Sequence, residues 1–162
     1  MKQIPLVPRK IWKPTLYALI DDSDYDFLSK FDWWPNKCSN KIYAATWLNG
    51  KNIYMHQLLL PCEISLTPDH INGNGLDNQR FNLRLATHSQ QMMNRKKRKG
   101  CSSDYKGVYW DKRLQLWVAR LKKNKILLEI GHFYFELDAA QAYNRVAKQE
   151  FGEFASLNKI KG

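Results

Sequence analysis

Residues 69–94 read DHINGNGLDNQRFNLRLATHSQQMMN, and the organisation of the chain turns on this stretch. Asp69 and His70 end a short run. Asn72-Gly73 and Asn74-Gly75 then reverse the chain, because Asn-Gly pairs supply the positive φ angles that tight turns require. Residues 81–86 read as a short return strand. Thr87-His88-Ser89-Gln90 fits a capping box, with Thr87 as N-cap and Gln90 reaching back to its backbone N–H, so a helix opens here. Strand, ribbon, strand and helix bring a carboxylate, an imidazole and several amides into one compact stretch.

That set of groups suits metal-assisted cleavage of a phosphodiester. A divalent ion needs hard oxygen ligands, which a carboxylate and an amide oxygen provide. Water attacking phosphorus needs a base that titrates near neutrality, the natural role of a histidine. Such a base needs a partner to fix its tautomer, and an Asn side chain can serve. The ion stabilises charge on the phosphate and on the leaving oxygen.

DHINGNGLDNQRFNLR followed by AT-x-x-Q resembles the ββα-metal core of phage- and intron-encoded HNH homing endonucleases. The resemblance implies that His70 is the general base, Asp69 a metal ligand, and Asn82, twelve residues after His70, the residue that orients it. The helix ligand falls at Gln91, where most of the family has Asn; Gln keeps the amide oxygen but is one methylene longer. Asn94 lies three residues on, along the same helix face, as a substitute. Magnesium or manganese is the expected ion. Two plainer readings compete. The histidine could be a surface residue of an Asn/Gly-rich turn. A calcium loop is the other, but D-x-[DN]-x-[DN]-G fails, since Ile71 and Gly73 stand where oxygen ligands are needed.

The 162 residues suffice for one domain or two small ones, and 44% hydrophobic with 25% charged residues reads as globular. No apolar run approaches a membrane span and no signal-peptide core is present, so an intracellular protein with no membrane partner is expected. Cys38, Cys62 and Cys101 are too few and too scattered for a disulfide framework or a structural zinc site. Net charge is +11 and uneven: residues 1–94 hold 10 Lys+Arg against 8 Asp+Glu, and residues 95–162 hold 16 against 7. A polyanion is the natural partner, here double-stranded DNA, with most of the sequence-independent attraction in the second half.

Ahead of the core, residues 4–7 and 16–20 read as strands. Asp21-Asp22-Ser23 starts a helix with Tyr25, Phe27, Leu28 and Phe31 as its apolar face, and Trp33-Trp34-Pro35 ends it. The acidic run 21–26 reads as a solvated helix N-terminus. Residues 42–48, Asn49-Gly50 and residues 52–55 form a hairpin. His56 opens a short apolar segment and is expected to brace the core rather than touch DNA. Arg80 and Arg84 are candidates for phosphate contacts, with an internal salt bridge as the alternative for Arg84.

After the core, Arg95, Lys96, Lys97, Arg98 and Lys99 form a run of five cations, read as a basic link along a DNA backbone. Residues 105–110, 116–121 and 126–133 alternate as three strands, and residues 136–151 form an amphipathic helix. YKGVYW, LWVARL, LLEIGHF, DAAQAYNRVA and FGEFASLN together resemble the ethylene-response-factor-type DNA-binding domain of plants, over residues 105–158. The resemblance implies a three-stranded sheet in the major groove, with Lys106, Tyr109, Trp110, Trp117, Arg120 and Lys122 at contact positions. Lys112 and Arg113 join them as basic residues of the strand segments. Tyr109 stands where plants use Arg, Arg120 where they use Glu, and Glu129 where they use Trp. Tyr143, Phe151 and Leu157 are assigned to the core.

The expected fold is α+β. A ββα-metal (His-Me finger) nuclease core at about residues 66–94 is preceded by short strands, within an HNH endonuclease domain of residues 1–95. Residues 96–104 form a basic linker. Residues 105–162 form an ethylene-response-factor-type domain, a three-stranded antiparallel sheet packed on one helix. The expected activity is site-specific, homing-type hydrolysis of DNA by a monomer or homodimer of phage or prophage origin, acting in the host cytoplasm. A catalytically silenced, sequence-specific DNA-binding protein is the alternative. An RNA-binding module is a third reading, disfavoured because the sheet lacks RNP-like aromatic motifs.

Overall fold

The computed structural model describes residues 1–7, 16–95, 97 and 100–160. The protein is mixed α and β, in two compact units, Met1–His88 and Ser89–Gly162. The division falls ahead of the basic run on which the sequence reading placed the join.

In the first unit, β1 (Lys2–Leu6) and β2 (Leu16–Ile20) pair antiparallel. Their alternation buries Ile4, Leu6, Ala18 and Ile20 on one face. The helix expected after Ile20 is a 3₁₀ turn (Asp22–Asp24) followed by one turn of α1 (Tyr25–Leu28). Buried Trp33 closes it by donating its indole N–H to the Leu28 carbonyl at 2.8 Å. Trp34 and Pro35, expected only to end that helix, instead open a strand, β3 (Trp34–Cys38). It forms one edge of a three-stranded antiparallel sheet with β4 (Lys41–Leu48) and β5 (Lys51–Tyr54), in the order β3-β4-β5. An edge strand tolerates Pro35, whose missing N–H need not meet a partner. Asn49 (φ 49°) and Gly50 (φ 74°) make the two-residue turn between β4 and β5.

Helix α2 (Met55–Leu59) follows, and then β6 (Thr67–His70) pairs antiparallel with β7 (Leu83–Ala86). A 3₁₀ turn at Arg80–Asn82 takes the first part of the expected return strand. Helix α3 (His88–Met93) opens one residue after Thr87. The core of this unit gathers Ile4, Leu6, Ile20, Leu28, Trp33, Met55 and Leu59. It forms a floor of ordinary apolar packing beneath β6 and β7, to which Leu83 also belongs.

In the second unit β8 (Val108–Asp111), β9 (Leu116–Lys123) and β10 (Ile126–Phe133) form an antiparallel sheet in the order β10-β9-β8. Helix α4 (Glu136–Phe151) packs on it through Ala139, Ala140, Tyr143, Ala147 and Phe151, against Val108, Ala119 and Leu121. Small alanines let the helix lie close to the strands. Gly107 (φ 77°) accommodates the Tyr143 ring where a Cβ would stand. Leu157, expected in this core, is 45% exposed. Among the described residues no helix is long and apolar enough to cross a membrane.

Candidate active site

His70 is the last residue of β6 and is almost wholly buried. Its Nε2 lies 3.1 Å from Asn78 Oδ1. A carbonyl oxygen can only accept, so Nε2 carries the proton and Nδ1 is the basic nitrogen. Burial depresses the imidazole pKa from its ordinary value, against the Asn78 hydrogen bond and the Asp69 charge, which favour the cation; Lys41 disfavours it. The ring is therefore a neutral base at neutral pH.

The orienting bond expected from Asn82 is made by Asn78 instead. Asn82 holds the turn. Its Oδ1 accepts from the Asn72 N–H at 3.0 Å, and its Nδ2 donates to Asn72 Oδ1 at 3.1 Å and to the Asp77 carbonyl at 2.7 Å. Asn72 Nδ2 donates to Asp77 Oδ2 at 2.7 Å, and Asn72 Oδ1 accepts from the Asn74 N–H at 2.8 Å. The turn is thus a web of amides, which explains the density of Asn in the stretch. From outside, Leu19 of β2 accepts from Asn78 N–H and donates to the Leu76 carbonyl, both at 2.8 Å. These bonds set Asn78, which has no exposed surface, beneath the His70 ring. In sequence Asn78 and Asn82 are chemically equivalent candidates, and only the path of the turn decides between them.

The two glycines of the turn differ in purpose. Gly73 has φ 72°, the left-handed conformation that Asn-Gly predicts. Gly75 does not; it is glycine because β4 passes against it, and a Cβ there would strike the Ile42 carbonyl and come within 2.6 Å of the Tyr43 ring. Tyr43 in turn lies 5.9 Å from the His70 ring, between centroids. His56, from α2, stands edge-on to His70 at 4.8 Å and stacks on Tyr54 at 5.5 Å with planes 7° apart. Burial holds His56 neutral, with a pKa of about 3. It braces the core, as expected.

Asp69 is buried and faces Arg84 across the β6–β7 ladder, at 3.7 Å. Arg84 is itself mostly buried, so the internal salt bridge is its place rather than a phosphate contact. Arg80 is likewise committed to the fold. Its guanidinium grips Asp24 through Nε and Nη2 at 2.9 and 2.7 Å, and its N–H donates to Asp21 Oδ2 at 2.8 Å. The acidic run 21–26 is therefore not merely solvated: Asp24 is buried as the partner of Arg80. Gln91 is in α3 and Asn94 directly follows it, both half-buried. Among the described residues no three His, Cys, Asp or Glu side chains gather to hold a metal. An ion at Asp69 therefore needs amide, water or phosphate oxygens to complete its shell. The three cysteines are free and exposed.

In the second unit, the expected contact residues divide. Arg120 lies over the Tyr109 ring at 4.3 Å and is exposed, as is Lys122; Lys112 and Arg113 are exposed in the β8–β9 turn. Trp110 and Trp117 face each other across the ladder with centroids 5.1 Å apart, and Trp117 packs against the core. Lys106 turns inward: Nζ donates to the Met93 carbonyl at 2.6 Å, and burial lowers its pKa to about 8. Lys97 also folds back, onto the Ser103 carbonyl and Asp104. Arg95 is exposed. Lys96 and Arg98 lie outside the described residues.

The chain is 34% identical over 149 residues to an uncharacterized HNH endonuclease of Acanthamoeba polyphaga mimivirus, an alignment spanning 89% of this chain and 75% of the relative. No family model and no solved structure matches it. That likeness extends over both units and includes the strand–turn–strand that carries His70. The chain belongs to the HNH endonuclease family.

Proposed function

We propose that the protein is a DNA endonuclease of homing type, hydrolysing a phosphodiester with a divalent ion and His70 as general base. The observation that carries this reading is His70 itself: a buried, neutral imidazole whose Nε2–H donates to Asn78 Oδ1, at the end of a strand that also bears Asp69. With Nε2 occupied, Nδ1 accepts the proton of the attacking water. His56 and Tyr43 pack against the ring and limit its rotation. Asp69 offers a carboxylate oxygen, and Gln91 and Asn94 carry amide oxygens; hard donors of these kinds would suit magnesium or manganese. When bound, such an ion stabilises charge on the phosphate and the leaving 3′ oxygen.

The second unit holds DNA in this reading. Its sheet and helix follow the order of the plant-type domain that the sequence resembles. Arg120 over Tyr109, with Lys122, Lys112 and Arg113, forms the exposed basic set. Lys106 and Lys97 leave the contact list because their amines serve the unit's own backbone.

The test is cleavage of labelled source-genome DNA with Mg²⁺ or Mn²⁺, with end-group analysis. Metal-dependent cutting that leaves 3′-hydroxyl and 5′-phosphate ends is the expected result. Cutting by Gln91→Asn alone would identify a silenced nuclease, and specific binding with no cutting by either would identify a DNA-binding regulator.

A further inference from the structure

An open groove of about 240 Å³ lies between the start of β4 and the 73–76 turn, and Lys41 is its one charged lining residue. We propose that this groove seats the sugar–phosphate backbone of the DNA strand entering the His70 site, with Lys41 as its cation. The inference rests on the nuclease reading above and adds a binding residue to it.

Three observations support it. First, Lys41 and Tyr43 are two residues apart on β4 and so leave the same face of the sheet, roughly 7 Å apart along the strand. Tyr43 is the residue that lies against His70. Second, Lys41 is exposed and has no ion-pair partner among the described residues. The arginines of the same unit that the sequence offered for phosphate, Arg80 and Arg84, face Asp24 and Asp69. Third, the opposite wall begins with Gly73, Asn74 and Gly75 before Leu76, so backbone and one short amide line much of the groove. A phosphodiester backbone needs that close approach, and an ammonium binds phosphate as a point charge.

The experiment measures binding of the full chain to a short labelled DNA duplex as a function of salt, for wild type, Lys41→Gln and Lys51→Gln. Lys51 opens β5 opposite Leu48, on the other face of the sheet, so the control carries the same charge change away from the groove. Lys41→Gln should bind about three- to tenfold more weakly at 0.1 M salt, with the slope of log K against log salt reduced by about 1. Lys51→Gln should stay close to wild type. In Mg²⁺ or Mn²⁺ cleavage assays Lys41→Gln should raise KM with kcat little changed. An unchanged slope for Lys41→Gln, or an equal loss in Lys51→Gln, overturns the groove assignment and leaves the nuclease reading intact. A Lys41-dependent slope without cutting by wild type overturns the nuclease reading and leaves the groove as a DNA-backbone site. A wild type that does not bind the duplex overturns both.

Discussion

The His56 ring stands edge-on to the His70 ring, with centroids 4.8 Å apart and planes at 76°. Burial disfavours a charge on either ring, and a charge on His70 further disfavours one on His56. The pairing therefore links the integrity of the first unit to pH.

His56 has a pKa of about 3, against 6.5 for an unperturbed histidine. Between these values the unfolded chain binds a proton that the folded chain refuses. Stability should thus fall as pH drops below about 6.5, by up to about 1.4 kcal/mol per pH unit from this group. The lowered pKa of His70 acts in the same direction. His56→Phe keeps a ring on Tyr54 and removes one titration, so urea unfolding from about pH 7 to pH 4 should give a flatter stability curve than wild type. Parallel curves would show that His56 is not the group responsible.

Asn78 orients the His70 ring through Nε2, and among the described residues its own Nδ2 is buried without a hydrogen-bond partner. Asn78→Asp therefore breaks no amide bond while placing a carboxylate on Nε2–H, which favours the imidazolium. The acid limb of kcat/KM, expected below 6.5 in wild type, should move to higher pH. Asn78→Ala leaves the ring unanchored and should lose about 10- to 100-fold in rate. A pH–rate profile unmoved by Asn78→Asp would contradict the orienting role.

Gly75 is a point of close approach rather than of turn geometry. Gly75→Ala must displace either the Ile42 carbonyl or the Tyr43 ring, and overpacking of this kind costs about 1–3 kcal/mol. Because Tyr43 lies against His70, the loss of stability should be accompanied by a loss of kcat. Thermal unfolding and single-turnover cleavage of the same sample read both, and Gly75→Ala with wild-type values of each would refute the contact.

Arg80 and Asp24 join segments 56 residues apart through two hydrogen-bonding nitrogens. Arg80→Gln leaves the buried Asp24 carboxylate without its partner and should cost about 1–3 kcal/mol. It should leave the salt dependence of DNA binding unchanged. A reduced salt slope with full stability would return Arg80 to the phosphate-binding set.

Local elements were largely legible in the sequence. A short apolar run marked β2, alternation marked β9 and β10, Asn49-Gly50 marked the β4–β5 turn, and the residues of α4 coincide with the expected helix. What stayed hidden depends on partners distant along the chain. Nothing local marks Trp34–Cys38 as a strand, because it is formed by pairing with β4 and its Pro35 argues against a strand. Asp24 reads as a surface carboxylate until Arg80 arrives beside it. Lys97 and Lys106 read as phosphate contacts because their letters show charge but not direction. At the candidate site, the family resemblance pointed to His70, Asp69 and Asn82, whereas the hydrogen bond from Asn78 to the imidazole could be read only from the path of the turn.

The account rests on His70 as the base of a metal-dependent nuclease. The most direct test is single-turnover cleavage of source-genome DNA with Mg²⁺ by wild type and by His70→Ala, with DNA binding measured on the same preparations. The account predicts that His70→Ala loses about 10²- to 10⁴-fold in rate while binding DNA as wild type does. Cutting by His70→Ala at close to the wild-type rate, or cutting by wild type after complete chelation of divalent ions, would contradict it.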